Sequence, residues 1–209
     1  MRALVTGVGR GLGAAIANEL AARGLTVVGT ARGAVPADVE HSCAHIVQLD
    51  LADRLSIAAA VADLCARGDS IDLLVNNAGL DGRAVGGGDH DRGPLDIDPD
   101  VFMRQIEVNT LGPLLFSRGL IDLLRAAEAP KVVNISSQLG HPDVVLRAGR
   151  DVGYNASKAA LTTTSATLAR DLPGVVVVAV HRGGFEPTWV GPTPRSAWAS
   201  RPSVWSTPC

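Results

Sequence analysis

Tyr154 and Lys158 are the pair in this sequence best suited to moving a proton. They lie four apart within a helical pattern at about 154 to 171, so both side chains project from one face of a helix. A free phenol titrates near ~10, too high for efficient proton exchange at neutral pH, and a neighbouring ammonium favours the phenolate and brings that value down. The lysine thereby makes the tyrosine a usable acid or base. Alone, the Tyr-x-x-x-Lys spacing would equally describe a surface pair on an amphipathic helix. Its weight comes from what accompanies it, beginning with Ser136-Ser137 at the end of the apolar run Val132 to Ile135. A hydroxyl from Ser137 at such a strand end can hydrogen-bond a substrate oxygen, orient it and stabilise charge developing there. The same serine is a poor hydrolase nucleophile, because the Gly-x-Ser-x-Gly elbow is absent. Among His41, His45, His90, His141 and His181 only His41 and His45 stand four apart, the His-Glu-x-x-His pattern is absent, and no metal is expected.

A second chemistry is written near the start. The apolar run Ala3 to Val5 passes into Thr6-Gly7-Val8-Gly9-Arg10-Gly11-Leu12-Gly13 and directly on into an alanine-rich helical pattern. Glycines let a backbone turn sharply and approach a pyrophosphate closely, while the free amides and dipole of a helix start favour negative charge. A tight strand-to-helix turn needs glycine too, but the flanking strand and helix favour nucleotide binding by Thr6, Gly7, Gly9, Arg10, Gly11, Leu12 and Gly13. NAD sites of this kind often place an acidic residue at the end of the second strand, on the ribose hydroxyls. Here Thr30-Ala31-Arg32 stands instead. The Arg32 guanidinium suits the 2′-phosphate of NADP, and Arg10 can approach the same phosphate; together they favour NADPH over NADH.

The elements that must position these groups follow from the hydrophobic pattern. Short apolar runs at Ala3 to Val5, Thr26 to Val28, Ile46 to Leu49, Leu73 to Val75, Val132 to Ile135 and Val175 to Val180 read as six buried strands. Helical patterns lie between them at about 12 to 23, 54 to 67, 100 to 126 and 154 to 171. Strands apolar on both faces and separated by helices predict an α/β fold, a doubly wound parallel sheet of the Rossmann type. Its ligand belongs beyond the carboxyl ends of the strands, where strand order reverses. The Gly- and Asp-rich stretch Asp81 to Gly93 reads as a surface loop.

With the glycine loop, Asn76-Asn77-Ala78-Gly79 and Tyr154-Asn155-Ala156-Ser157-Lys158, the chain resembles the short-chain dehydrogenase/reductase family from about residue 1 to 180. Val108-Asn109-Thr110-Leu111-Gly112-Pro113-Leu114 and Asn134-Ile135-Ser136-Ser137-Gln138-Leu139-Gly140 are most similar to its carbonyl reductase branch, related to the bacterial C-factor. The resemblance implies a catalytic tetrad of Asn109, Ser137, Tyr154 and Lys158, with Ser136 as the fallback for the serine and Asn109 holding a proton-relay water. It also implies that Asp50, with Leu51, contacts the adenine, that Asn76, Asn77, Ala78 and Gly79 lie on the cofactor's ribose side, and that Lys158 holds the nicotinamide ribose. The activity implied is hydride transfer between NADPH and a carbonyl or alcohol. The family commonly pairs through the helices at about 100 to 126 and 154 to 171, so a homodimer is expected.

Bulk properties agree with a small-molecule enzyme. The 209 residues, 46% hydrophobic and 19% charged, can bury one sizeable core. A net charge of −2 with scattered basic residues offers no footprint for nucleic acid or an anionic membrane. The longest apolar run, Val175 to Val180, is far short of a membrane span, and no signal peptide precedes the first strand, so a cytoplasmic location is expected. Cys43, Cys65 and Cys209 show no Cys-x-x-Cys spacing and read as inert thiols.

The sequence departs from the family after residue 180. A dinucleotide-binding domain over 1–180 is followed by a tail, 181–209, holding Trp189, Trp198, Trp205 and five prolines. His181-Arg182-Gly183-Gly184 replaces the family's Pro-Gly, Thr188 is only a displaced candidate for its cofactor-contacting threonine, and no seventh strand is recognisable. A shifted reading frame from Glu186 onward would account for this, and the tail is expected to be poorly ordered. The alternative function is a catalytically weak or inactive dinucleotide-binding protein. An epimerase or dehydratase is disfavoured, since no second substrate domain is present.

Overall fold

Six apolar runs become six parallel strands: β1 (Arg2–Thr6), β2 (Thr26–Ala31), β3 (His45–Gln48), β4 (Leu73–Asn76), β5 (Lys131–Ser136) and β6 (Val176–His181). The computed structural model describes residues 1–81, 93–148 and 151–181. Expectations for the tail, Thr188 and the stretch between Asp81 and Gly93 therefore lie outside the described residues. The strands pair in the order β3-β2-β1-β4-β5-β6, with Val5 of β1 opposite Gly29 on one side and Val75 on the other. Leu4, Val5, Leu74, Val75, Val132 and Val177 are all within 4% of complete burial, because helices cover both faces of the sheet. Each such side chain removed from water contributes about 1.5–3 kcal/mol.

The helices are α1 (Gly11–Ala22), α2 (Ala37–Ser42), α3 (Arg54–Arg67), α4 (Pro99–Ile106), α5 (Gly112–Gly119), α6 (Ile121–Arg125), α7 (Pro142–Ala148) and α8 (Val152–Asp171). Asp53 caps α3 by accepting from the amide of Leu55 at 2.8 Å, and Gly68 ends that helix in the left-handed conformation, φ +71°. The single helix expected over 100 to 126 is broken into α4, a π-helical turn at Glu107–Leu111, α5 and α6. Pro113 has no amide hydrogen for the carbonyl four residues back, at Asn109, and the chain changes its winding there. The short α2 and α7 escape the pattern because six and seven residues are too few to show a period. Among the described residues no helix is long and apolar enough to cross a membrane.

β1 and β4 lie side by side while their connections run to opposite flanks, and this reversal opens a crevice at their carboxyl ends. Thr6 and Asn77 tie its two walls together. The Thr6 hydroxyl accepts from the amides of Asn77 and Ala78, each at 3.0 Å, while Asn77 Nδ2 donates to the Thr6 carbonyl at 2.9 Å.

Candidate active site

The crevice is a cavity of about 500 Å³. Gly7, Gly9, Arg10, Gly11, Leu12 and Gly13 line it from the loop after β1, and Arg32 from the end of β2. Asp50 and Leu51 line it from beyond β3, and Asn77, Ala78 and Gly79 from beyond β4. The loop's shape depends on glycine at two places above all. Gly7 has φ +74°, and a Cβ there would also come within 2.9 Å of the Ala78 backbone. A Cβ on Gly13 would overlap the Gly7 carbonyl and the Asn77 amide, so the helix can begin this close to the strand only without one.

The start of α1 is left open for an anion. Arg10 occupies the N-cap position without a capping side chain, and no acidic residue lies in the first turn. Arg10 and Arg32 are both exposed on the cavity rim, and among the described residues neither has a carboxylate partner. Asp50 is partly committed: one carboxylate oxygen accepts from the Ala52 amide at 2.9 Å and the other lies 3.8 Å from the Arg104 guanidinium.

Two residues expected on the cofactor face elsewhere. The Thr6 hydroxyl is fully buried and spent on the brace to β4. Asn76 is 2% exposed and points into the core, where its Nδ2 donates to Ser117 Oγ at 2.9 Å and Asn134 Oδ1 at 2.7 Å. Asn76 is the last residue of β4 and stays within the sheet, whereas Asn77 opens the loop beyond it.

Beyond Gly79 the cavity meets the acid–base groups. A Cβ on Gly79 would come within 3.0 Å of Asn109 Oδ1 and 3.6 Å of Lys158 Nζ. Lys158 is 4% exposed; its ammonium donates to the Ile135 carbonyl at 2.7 Å and lies 5.7 Å from the centroid of the Tyr154 ring. Burial pushes that ammonium down to about 8. Asn109, on the π-helical turn, has its side chain fully used: Oδ1 accepts from the Leu80 amide at 2.8 Å, and Nδ2 donates to the Leu80 carbonyl and to Ser157 Oγ.

The two serines separate by environment. Ser136 is buried and spans from β5 to α8, bonded to the Lys158 carbonyl at 3.2 Å and to Thr162 Oγ1 at 2.8 Å. Ser137 stands half-buried on the rim, its hydroxyl accepting from the Leu139 amide at 3.2 Å. Sequence reasoning overlooked Ser157, whose hydroxyl ties Asn109 to the Tyr154 carbonyl. It falls in the same helical turn as Lys158, the one signal that could have found it. Among the described residues no group of His, Cys, Asp or Glu could hold a metal.

Fold and crevice define a dinucleotide-binding protein of the doubly wound class. Residues 1–196 match the short chain dehydrogenase family, and the chain belongs to the short-chain dehydrogenase/reductase family, whose membership implies hydride transfer with a nicotinamide dinucleotide. An uncharacterized oxidoreductase of Schizosaccharomyces pombe is 28% identical over 98% of this chain and 64% of its own length. Galactitol 2-dehydrogenase of Agrobacterium fabrum is 32% identical over 87% of this chain and 69% of its own. The chain thus spans about two thirds of these relatives. The NADPH-bound carbonyl reductase from chicken fatty liver superposes with a TM-score of 0.76 at 25% identity, over 94% of this chain and 84% of that one.

Proposed function

We propose that the protein is an NADPH-dependent oxidoreductase acting between a carbonyl and its alcohol, of the carbonyl reductase branch related to the C-factor, with Tyr154 as proton donor or acceptor. One observation carries the reading: the Lys158 ammonium, 4% exposed, is held 5.7 Å from the Tyr154 ring. A buried cation opposes folding, and here it stands where it would stabilise a phenolate. The bound nicotinamide would supply or take the hydride. Tyr154 gives its hydroxyl proton to the substrate oxygen as the carbonyl becomes an alcohol, and takes it back in the reverse direction. Ser137 orients that oxygen, and Lys158 both tunes Tyr154 and holds the nicotinamide ribose. With its side chain saturated, Asn109 would hold a relay water through its backbone carbonyl, which Pro113 deprives of the usual helical donor.

The cofactor's other end fits the residues present. The cradle that a Cβ at Gly7 or Gly13 would fill, and the uncapped start of α1, suit the pyrophosphate. Arg10 and Arg32 suit the 2′-phosphate, and Asp50 and Leu51 the adenine side. Pairing of two copies through the helices already expected to pair belongs to the same reading, and light scattering should then give twice the chain mass.

The deciding experiment is Tyr154→Phe, assayed by NADPH oxidation across ketones and aldehydes. Activity should vanish while NADPH binding stays within about twofold, since only the proton donor is deleted. Full activity in that variant would refute the reading. NADPH binding by the parent without turnover of any carbonyl would favour a dinucleotide-binding protein that does no chemistry.

A further inference from the structure

The first turn of α8 carries Tyr154, yet it is built from Val152, Gly153 and Tyr154, all mediocre or poor helix formers. Its definition comes from outside the turn. Asp151, the N-cap, accepts the amide hydrogen of Tyr154 itself through one carboxylate oxygen at 3.0 Å. Its other oxygen accepts from Gln105 Nε2 at 2.8 Å. Gln105 lies in the last turn of α4 and is 1% exposed, a placement that is unfavourable for an amide unless its polar atoms are engaged. Its far end is equally constrained, because Gln105 Oε1 occupies the space a Cβ on Gly153 would need. Glycine at 153 therefore lets α4 and α8 close with the glutamine between them. One amide thus locks the cap to the neighbouring helix, and the cap holds the backbone from which the phenol projects.

We propose that Gln105 is a positioning residue for proton transfer, fixing through Asp151 the helical turn that aims the Tyr154 hydroxyl at the substrate oxygen. Nothing in the proton chemistry uses Gln105 directly. The inference rests on Tyr154 being the proton donor, and it explains why a glutamine is buried between two helices that apolar residues could otherwise join.

The test reverses donor and acceptor. Gln105→Glu keeps the shape, removes the donor and sets a second carboxylate against Asp151. Adding Asp151→Asn restores the match: the new amide oxygen still accepts from the Tyr154 amide, and its nitrogen donates to the new carboxylate. In the full-length chain, Gln105→Glu should lower kcat for carbonyl reduction on the order of tenfold, with NADPH affinity unchanged, and the double variant should recover most of it. Gln105→Met, which removes the hydrogen bond without adding charge, should show a comparable loss. A readout independent of turnover is available because the chain has a single tyrosine, so its phenolate absorbance against pH reports Tyr154 alone. That titration should move in Gln105→Glu and return in the double variant. A merely structural brace would lower the thermal midpoint and leave kcat and the titration in place, and that result overturns the proposal. So does a double variant no better than the single. If Tyr154→Phe stays active the functional reading fails first, and the tyrosine titration still shows whether Gln105 positions the ring.

Discussion

Replacing Lys158 by methionine should shift the tyrosine titration to higher pH. The ammonium lies 5.7 Å from the centroid of the Tyr154 ring. At an effective dielectric of about 20, unit charges about 6 Å apart attract by about 3 kcal/mol, enough for the ammonium to favour a phenolate nearby. An ammonium beside the ring favours the phenolate over the neutral phenol. Burial pushes the lysine itself down to about 8, so the ammonium is present at neutral pH and is lost as pH rises past that value. Loss of the ammonium proton removes its support for the phenolate, so phenolate forms over a broader range than in an isolated phenol. With one tyrosine in the chain, near-ultraviolet difference absorbance follows this without a label. The parent should begin to rise at lower pH, and over a wider range, than Lys158→Met. A parent curve superposable on the variant's would refute the electrostatic coupling and with it the lysine's tuning role.

The same substitution should stabilise the protein at neutral pH. The folded value of Lys158, about 8, lies below the ordinary 10.5, so folding disfavours the charged form by about 3 kcal/mol. That penalty is fully present below pH ~8 and fades as pH rises toward ~10.5; the variant's higher urea midpoint at pH 7 should narrow by pH ~9.5, and equal midpoints at pH 7 would contradict the assignment. Arg32→Asp should weaken NADPH binding by about tenfold or more while leaving NADH no weaker, because it removes a charge-assisted hydrogen bond to the 2′-phosphate and adds repulsion. Equal binding of both cofactors by the parent, read by fluorescence titration, would show that the arginines do not discriminate.

The sheet was legible because its strands are buried on both faces, and an uninterrupted run such as Val75 with its neighbours admits few other readings. The glycine loop was legible for a related reason: three of its glycines lack the room or the dihedral freedom for any other residue. Less visible was the division of labour among polar residues that share a motif. Asn76 and Asn77 are adjacent and identical, yet one hydrogen-bonds Ser117 and Asn134 in the core and the other ties the phosphate loop to β4. Ser136 and Ser137 split the same way. Which member stays in the sheet depends on the strand's last residue, and boundaries are what a hydrophobic pattern defines least well. The break at Pro113 was available in the sequence, but the apolar period carries straight through it.

The brace between Thr6 and Asn77 joins residues about seventy apart in sequence, and this bears on how the chain acquires its binding site during synthesis. As the chain emerges, β1 has β2 to pair with early, but its other edge stays open until β4 arrives at Leu73. Until then the glycine loop has no opposite wall, and the Thr6 hydroxyl has no amides to receive. Such long-range pairing is slow to form and leaves an apolar strand edge exposed in the interval. Dinucleotide in the surrounding solution would bind only after that closure and favour the closed sheet by mass action, so the abundance of its ligand would help set the yield of folded protein.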